Sequence, residues 1–361
     1  MANNTNLSLM DFCLVRKYGE SLLRMTELLS YLPYIVLVLG IFLNMITIIA
    51  TYRKARKSSC HFYMMMVAWA DLYVIVSEQV MKIVEFFKPY YTLSECRLIG
   101  FHEIFPPQIA ILLLVCMTID RCIAVTRPLR SNRLCTVRRG IITTVSTACV
   151  LLVYNTTTIL VYGQYHTGPG RINCIVTVGK PWRSIYEISN RIISNYMPFI
   201  TLLSLNVVIA RTVCRALKRQ ATLAAGRSPR QEATRRVTIM VVIVSFAFLV
   251  LVFPTSIAFL MTLKYENWDK AINEAILYCK TTESEVMVFM YYTGKILYPF
   301  NHVINGLIYL VSSSQFRRDL INNLRCGHRR LHRKSNGTGA IALSTISATS
   351  ATSLTYTPSV G

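Results

Sequence analysis

Seven long apolar runs alternate with short polar segments along the chain, at 28–51, 62–86, 97–125, 140–162, 186–212, 236–261 and 286–311. Each approaches or exceeds the roughly 20 residues a helix needs to cross bilayer hydrocarbon, and each is too long for a strand. Inside lipid only helices and closed barrels satisfy their own backbone, so the pattern predicts an all-α membrane protein, a seven-transmembrane helix bundle. Past the last run, Phe316, Leu320 and Leu324 recur every four residues among Arg317, Arg318 and Arg325. That spacing predicts a short amphipathic eighth helix on the membrane surface. The chain therefore divides into an outer N-terminal segment (1–27), the bundle (28–311), the surface helix (312–326) and a tail (327–361). Twelve Ser/Thr and no acidic residue in the last 27 positions mark the tail as disordered.

Composition agrees with the pattern, with 53% apolar residues and only 16% charged. That balance excludes a disordered chain and an ordinary water-soluble domain. The 39 Lys/Arg against 17 Asp/Glu give a net charge of +22, which would suit a nucleic-acid binder. The charge, however, lies in blocks. Segments 52–61, 126–139, 211–236 and 312–361 hold 24 basic residues against only Glu232 and Asp319, an excess equal to the whole net charge. By the positive-inside rule these alternate segments are cytoplasmic and the N-terminus is outside, as in a multi-pass plasma-membrane protein. No nucleic-acid partner is expected. Residues 1–27 mix Arg16, Lys17 and Arg24 with Asp11, Glu20 and Glu27, so no cleavable signal peptide is expected and the first span directs insertion. Asn3 and Asn6 head glycosylation sequons on the outer side, whereas the sequon at Asn155 lies within a span.

Candidate chemistry sits inside the spans, where ionisable groups are costly. Asp71 lies in mid-span, with Asn44, Asn301 and Asn305 as plausible partners. A structural polar cluster and a sodium site both fit this set. Toward the outer end Glu78, Lys82 and Glu85 share a helix face, and Glu103 and Lys295 lie at similar depth. With Glu187, Arg191 and Phe259 they are candidates for a ligand pocket, and mutual neutralisation between helices is the alternative. Pro106, Pro107, Pro198, Pro254 and Pro299 are expected to kink their helices. Asp120-Arg121 closes the third span at its basic end. Of eleven cysteines, Cys13, Cys96, Cys174 and Cys279 lie on the outer side, where three pairings are open. Cys60, Cys116, Cys122, Cys135, Cys149 and Cys214 read as small packing residues.

In order and spacing these features resemble the rhodopsin-like G-protein-coupled receptors over residues 28–325. Gly40-Ile41-Phe42-Leu43-Asn44 is similar to the first-span Gly-x-x-x-Asn motif and Val67-Ala68-Trp69-Ala70-Asp71 to the second-span one. Asp120-Arg121-Cys122 is similar to Asp-Arg-Tyr, Phe248 and Pro254 match the sixth span, and Asn305-Gly306-Leu307-Ile308-Tyr309 is similar to Asn-Pro-x-x-Tyr. The resemblance implies a Cys96–Cys174 disulfide and assigns Asp120, Arg121, Phe248, Pro254, Asn305 and Tyr309 to activation. The chain departs from the pattern where Val252 replaces a Trp, Gly306 a Pro, Asn206 a Tyr and Ala110 a Ser, and the fourth span lacks its usual Trp. The Ala110 replacement puts the sodium site in doubt. Pro299, not Lys295, stands at the position of the opsin retinal lysine, so an opsin is excluded.

Among such receptors the sequence is similar to invertebrate neuropeptide receptors of the FMRFamide or myoinhibitory-peptide type. Residues 172–178 alternate and turn at Gly179-Lys180-Pro181, which predicts a β-hairpin at the pocket mouth. The acidic segment 262–285 would steer a basic peptide, and Cys13–Cys279 would tie it to the N-terminus. The resemblance implies no enzyme and no cofactor. It implies an extracellular peptide ligand, a heterotrimeric G protein at a cleft lined by 211–219 and 235–240, and arrestin and receptor kinases at the tail. Cys326 is a palmitoylation candidate and membrane lipid a further partner. A non-peptide receptor and a seven-helix transporter or channel are the alternatives, the latter using Asp71, Glu78, Glu103 and Lys295 as a relay.

Overall fold

A computed structural model describes residues 31–87, 91–168, 171–223, 229–262 and 282–325. In chain order they form α1 (Leu32–Ala55), α2 (Ser59–Phe87), α3 (Leu93–Thr126), α4 (Pro128–Leu134), α5 (Val137–Val161), β1 (Tyr162–Gly168), β2 (Arg171–Val176) and α6 (Lys180–Arg191). A π-turn, Ile192–Tyr196, leads into α7 (Met197–Leu223), which is followed by α8 (Pro229–Thr262) and α9 (Thr282–Leu297). A 3₁₀ turn, Tyr298–Phe300, joins α9 to α10 (Asn301–Ser312), and a last helix, α11, covers 314–325.

Among the described residues six helical stretches are long and apolar enough to cross a membrane: α1, α2, α3, α5, α6 with α7, and α8. Large apolar side chains such as Val38, Val150, Val153 and Leu160 point outward, as a lipid-facing surface requires. The chain is a helical, multi-pass membrane bundle. Helix α3 runs through its middle, packed against α2, α5, α7 and α8, while α1 lies on α2 and α10. The core between them is built from residues such as Met64, Ile111, Met117, Val244, Phe248 and Tyr309. Val252 is fully buried in it.

Local chemistry sets the ends and breaks of these helices. Thr92 and Glu95 form a reciprocal capping box at the start of α3, and Thr136 caps α5 through the Arg139 N–H. Thr47, Thr118, Ser245 and Ser256 donate their hydroxyls to carbonyls one turn back, which hides polar groups within apolar helices. The prolines act differently from one another. Pro106, Pro107 and Pro254 lie inside unbroken α3 and α8, Pro198 follows the π-turn, and Pro299 sits within the 3₁₀ turn.

The hairpin differs from expectation. Its second strand, β2, is where the alternation placed it, but it pairs antiparallel with β1 upstream, from Tyr162↔Val176 to Gly168↔Arg171. The strands therefore connect through residues 169–170. Gly179-Lys180-Pro181 is no strand turn: Gly179 caps α6, whose first turn contains Pro181, a position where a missing N–H costs nothing.

Gly306 has a packing reason. A Cβ there would lie 2.6 Å from the Leu43 carbonyl oxygen, so glycine lets α10 approach the backbone of α1. Beyond α10, Phe316 is buried against the Tyr309 ring at 5.8 Å and Leu320 packs on the core, while Leu324 is exposed. Asn323 donates to the Ile49 and Ala50 carbonyls, and Lys54 pairs with Asp319 at 2.6 Å, so α11 is fastened to α1.

Candidate functional site

Three polar regions lie along the bundle. At the basic end the Arg121 guanidinium donates through Nε and Nη2 to the Asp120 carboxylate, both groups being largely buried. Their adjacency brings the charges together, and both nitrogens converge on one carboxylate oxygen, Oδ2, which holds the pair in a site where a lone charge would be costly. Beside them opens a cavity of about 760 Å³, lined by Arg121, Leu129, Cys135, Thr212, Leu217 and Arg235 among others. It lies between α3, α4, α7 and α8, at both of the segments expected to form the cleft. Cys135, in the turn between α4 and α5, donates its thiol to the Asp120 carbonyl at 3.4 Å. Burial first, then the Asp120 charge, pushes that thiol up to about 12, so it stays protonated.

In the middle, the Asp71 carboxylate accepts from two groups of α10. His302 Nδ1 lies 2.7 Å from Oδ1 and Asn305 Nδ2 lies 2.9 Å from Oδ2. Asn305 thus stands where the sequence placed it. Asn44 instead donates to the carbonyls of Gly40 and His302, at 3.0 and 2.9 Å, and Asn301 is buried at the start of α10. Sequence reasoning missed His302. Its signal was its spacing, three residues before Asn305, which sets both side chains on one helical face.

The third region lies toward the hairpin, which the Cys96–Cys174 disulfide ties to the start of α3. The candidate pocket residues divide here into two groups. Glu103 of α3 is hydrogen-bonded to Tyr162, whose ring fills the space left open by Gly100. Burial chiefly, and Glu103 next, hold the Tyr162 hydroxyl well above the usual phenol range. Glu187 nearby pairs with Arg183 at 2.8 Å, one helical turn away. On the other side the Arg191 guanidinium sits 5.1 Å over the Phe259 ring, and Tyr196 donates to the Ser256 carbonyl. The fields of Glu78 and Arg191 both reach Tyr298. Glu187 and Arg191 lie one helical turn apart on α6, so the two groups adjoin along that helix.

Between the two runs a buried amide network that composition did not reveal. Gln108 Oε1 accepts from Asn155 at 2.8 Å, and Gln108 Nε2 donates to Asn190 and Ser194 at 3.3 and 3.1 Å. The Tyr154 hydroxyl reaches Asn190 Oδ1 and Ser189. Asn155, whose sequon lies within a span, is therefore an interhelical tie. Among the cysteines expected to pack, Cys60 is fully buried, whereas Cys149 and Cys214 are exposed. The side chains of Lys82, Glu85, Lys295 and the acidic segment 262–285 lie outside the described residues, as do Asn3, Asn6, Cys13, Cys279 and Cys326.

The chain is 26% identical over 310 residues to the FMRFamide receptor of Drosophila melanogaster, covering 79% of this chain and 51% of that receptor. It thus spans about half the length of that relative. To the mesotocin receptor of Rhinella marina it is 22% identical over 331 residues, covering 86% of this chain and 78% of the receptor. Residues 43–309, well over half of the chain, match the profile of the 7 transmembrane receptor (rhodopsin family). The chain belongs to that family.

Proposed function

We propose that this chain is a seven-span plasma-membrane receptor, with its N-terminus outside and its tail in the cytoplasm, that binds an extracellular peptide and activates a heterotrimeric G protein. The observation that carries the coupling half is the Asp120–Arg121 pair, whose Arg121 lines the basic-end cavity. The cavity can take a helix end of a G-protein α subunit once Arg121 leaves Asp120 and α8 swings outward. Phe248 and Pro254 lie on the helix that moves, and Asn305 and Tyr309 on the helix it packs against. The stretch α9 through α10 is the seventh span, and α11 is the membrane-surface helix, with Cys326 at its end as an acylation site.

The peptide half rests on the hairpin end. A disulfide-tethered hairpin whose Tyr162 meets Glu103, together with Glu187, Arg191, Phe259 and Glu78, offers charges of both signs to a charged peptide. Lys82 and Lys295 belong to the same rim. Two relatives named as receptors for FMRFamide and mesotocin favour a peptide over other ligands. Asn3 and Asn6 would carry glycans, and Cys13–Cys279 would staple the N-terminus to the rim. The Ser/Thr-rich tail would recruit kinases and arrestin. Binding acts by population shift, limited by the peptide's differential affinity for the two states. No covalent chemistry is involved.

The test is a peptide library applied to cells expressing the chain, with calcium and cyclic-nucleotide readouts. For a responding peptide, Arg121→Ala should abolish stimulated nucleotide exchange at unchanged surface expression. Undiminished exchange would overturn the coupling mechanism.

A further inference from the structure

Asp71 is a carboxylate at 1% exposure in the middle of α2, and a charge at that depth needs a partner. A sodium ion is the partner the receptor family implies. The donor set of this chain does not fit one. Hard cations take several oxygen ligands, but both Asp71 oxygens already accept N–H groups, from His302 Nδ1 at 2.7 Å and Asn305 Nδ2 at 2.9 Å. An ion approaching Oδ1 meets the imidazole ring. Ala110, at the third-span position where the family offers a hydroxyl, brings only a buried methyl. Asn44 turns its amide N–H groups to backbone carbonyls, and its Oδ1, although unanswered among the described residues, supplies one oxygen where a cation takes several.

The imidazole is held in that place from several sides. The Tyr298 ring meets it edge-on at 5.8 Å, and the His302 backbone carbonyl accepts the Asn44 amide at 2.9 Å. His302 therefore ties α1 and α2 to α10 at one point, just where the 3₁₀ turn gives way to α-helix. As an Nδ1–H donor it makes this bond in its neutral form as well as in its charged form.

We propose that the His302 side chain takes the cation's place beside Asp71, so that protein alone closes the junction of α1, α2 and α10 and sodium has no site there. The test uses the full chain purified in detergent, with thermal unfolding followed by tryptophan fluorescence in sodium chloride and in choline chloride of equal concentration. The wild-type Tm should be the same in both salts. His302→Ser and His302→Ala open the place beside Asp71, and either should gain a sodium-specific rise of about 3–5 °C, as binding to the folded state alone requires. Adding Asp71→Asn to either variant should remove that gain. A sodium-specific rise in the wild type overturns the proposal, and that comparison needs no variant to fold. A lack of gain in the folded variants overturns it equally, since His302 would then not be what excludes the ion.

Discussion

Gln108, Asn155 and Asn190 join α3, α5 and α6 with neutral amides, whereas Asp71, His302 and Asn305 join α2 to α10 around a carboxylate. An amide carries donors and an acceptor, so the three close a network in which the Gln108 oxygen and nitrogen and the Asn190 oxygen are all answered. A carboxylate only accepts, and it must draw donors from elsewhere. On the Asp71 side, His302 Nε2, Asn44 Oδ1 and the Tyr309 hydroxyl are buried without a hydrogen-bond partner among the described residues. Unanswered buried groups raise the free energy of the arrangement that holds them. The amide side is thus a fixed wall, and α10 belongs to the side that gains by rearranging. A receptor needs both, one part to hold the ligand frame and one to move.

The largest expected effect comes from breaking the carboxylate side. Asp71→Ala removes the acceptor that holds the His302 and Asn305 side chains to α2 and leaves two buried donors unanswered, which at about 1–3 kcal/mol each should cost about 2–6 kcal/mol, read as a lowered Tm of the purified chain. A loss below about 1 kcal/mol would mean the junction contributes little and would undo the contrast with the amide side.

The two sides were unequally legible in the sequence. Asp71 announced itself as a charge in an apolar run, and Asn305 came with a recognisable motif. Asp120 and Arg121 are neighbours, so their pairing required no tertiary knowledge. His302 was hidden because a single histidine among Val303, Ile304 and Leu307 carries no periodic signal of its own, and its partner lies on a distant helix. The amide network was hidden for a related reason. Gln108, Asn155 and Asn190 are each isolated in their own spans, and only the packing of three helices reveals that they meet. The hairpin was half legible: β2 alternates, but Tyr162-Gly163-Gln164-Tyr165-His166-Thr167-Gly168 has no apolar alternation, and disulfide tethering and pairing to β2 fix it instead. Gly306 looked like a weakened motif and is in fact the position where α1 comes too close for any side chain.

Breaking the amide side should have a smaller effect. Gln108→Leu leaves Asn155 bonded to the Leu151 carbonyl at 2.8 Å and Asn190 bonded to Tyr154, so the loss should be about 1–3 kcal/mol. Asn155→Leu should cost a similar amount. The double variant should lose less than the two losses combined, by about 0.6–1.7 kcal/mol, the range for interhelical hydrogen bonds in membranes. Strict additivity in a thermal-unfolding cycle would show that the 2.8 Å bond between them carries no stability.

The smallest effect should come from Tyr154→Phe, and it tests the redundancy that separates the two sides most directly. The lost hydroxyl lies 3.0 Å from Asn190 Oδ1 and 2.8 Å from Ser189 Oγ. Neither neighbour is orphaned by its removal: Asn190 still accepts from Gln108, and Ser189 still donates to the Tyr186 carbonyl at 2.9 Å. The cost should therefore stay near that of one ordinary hydrogen bond, about 0.5–1.5 kcal/mol, with the ring packing unchanged. A loss matching that of Asp71→Ala would mean that the amide side is as unforgiving as the carboxylate side, and that a satisfied network does not by itself make a fixed wall.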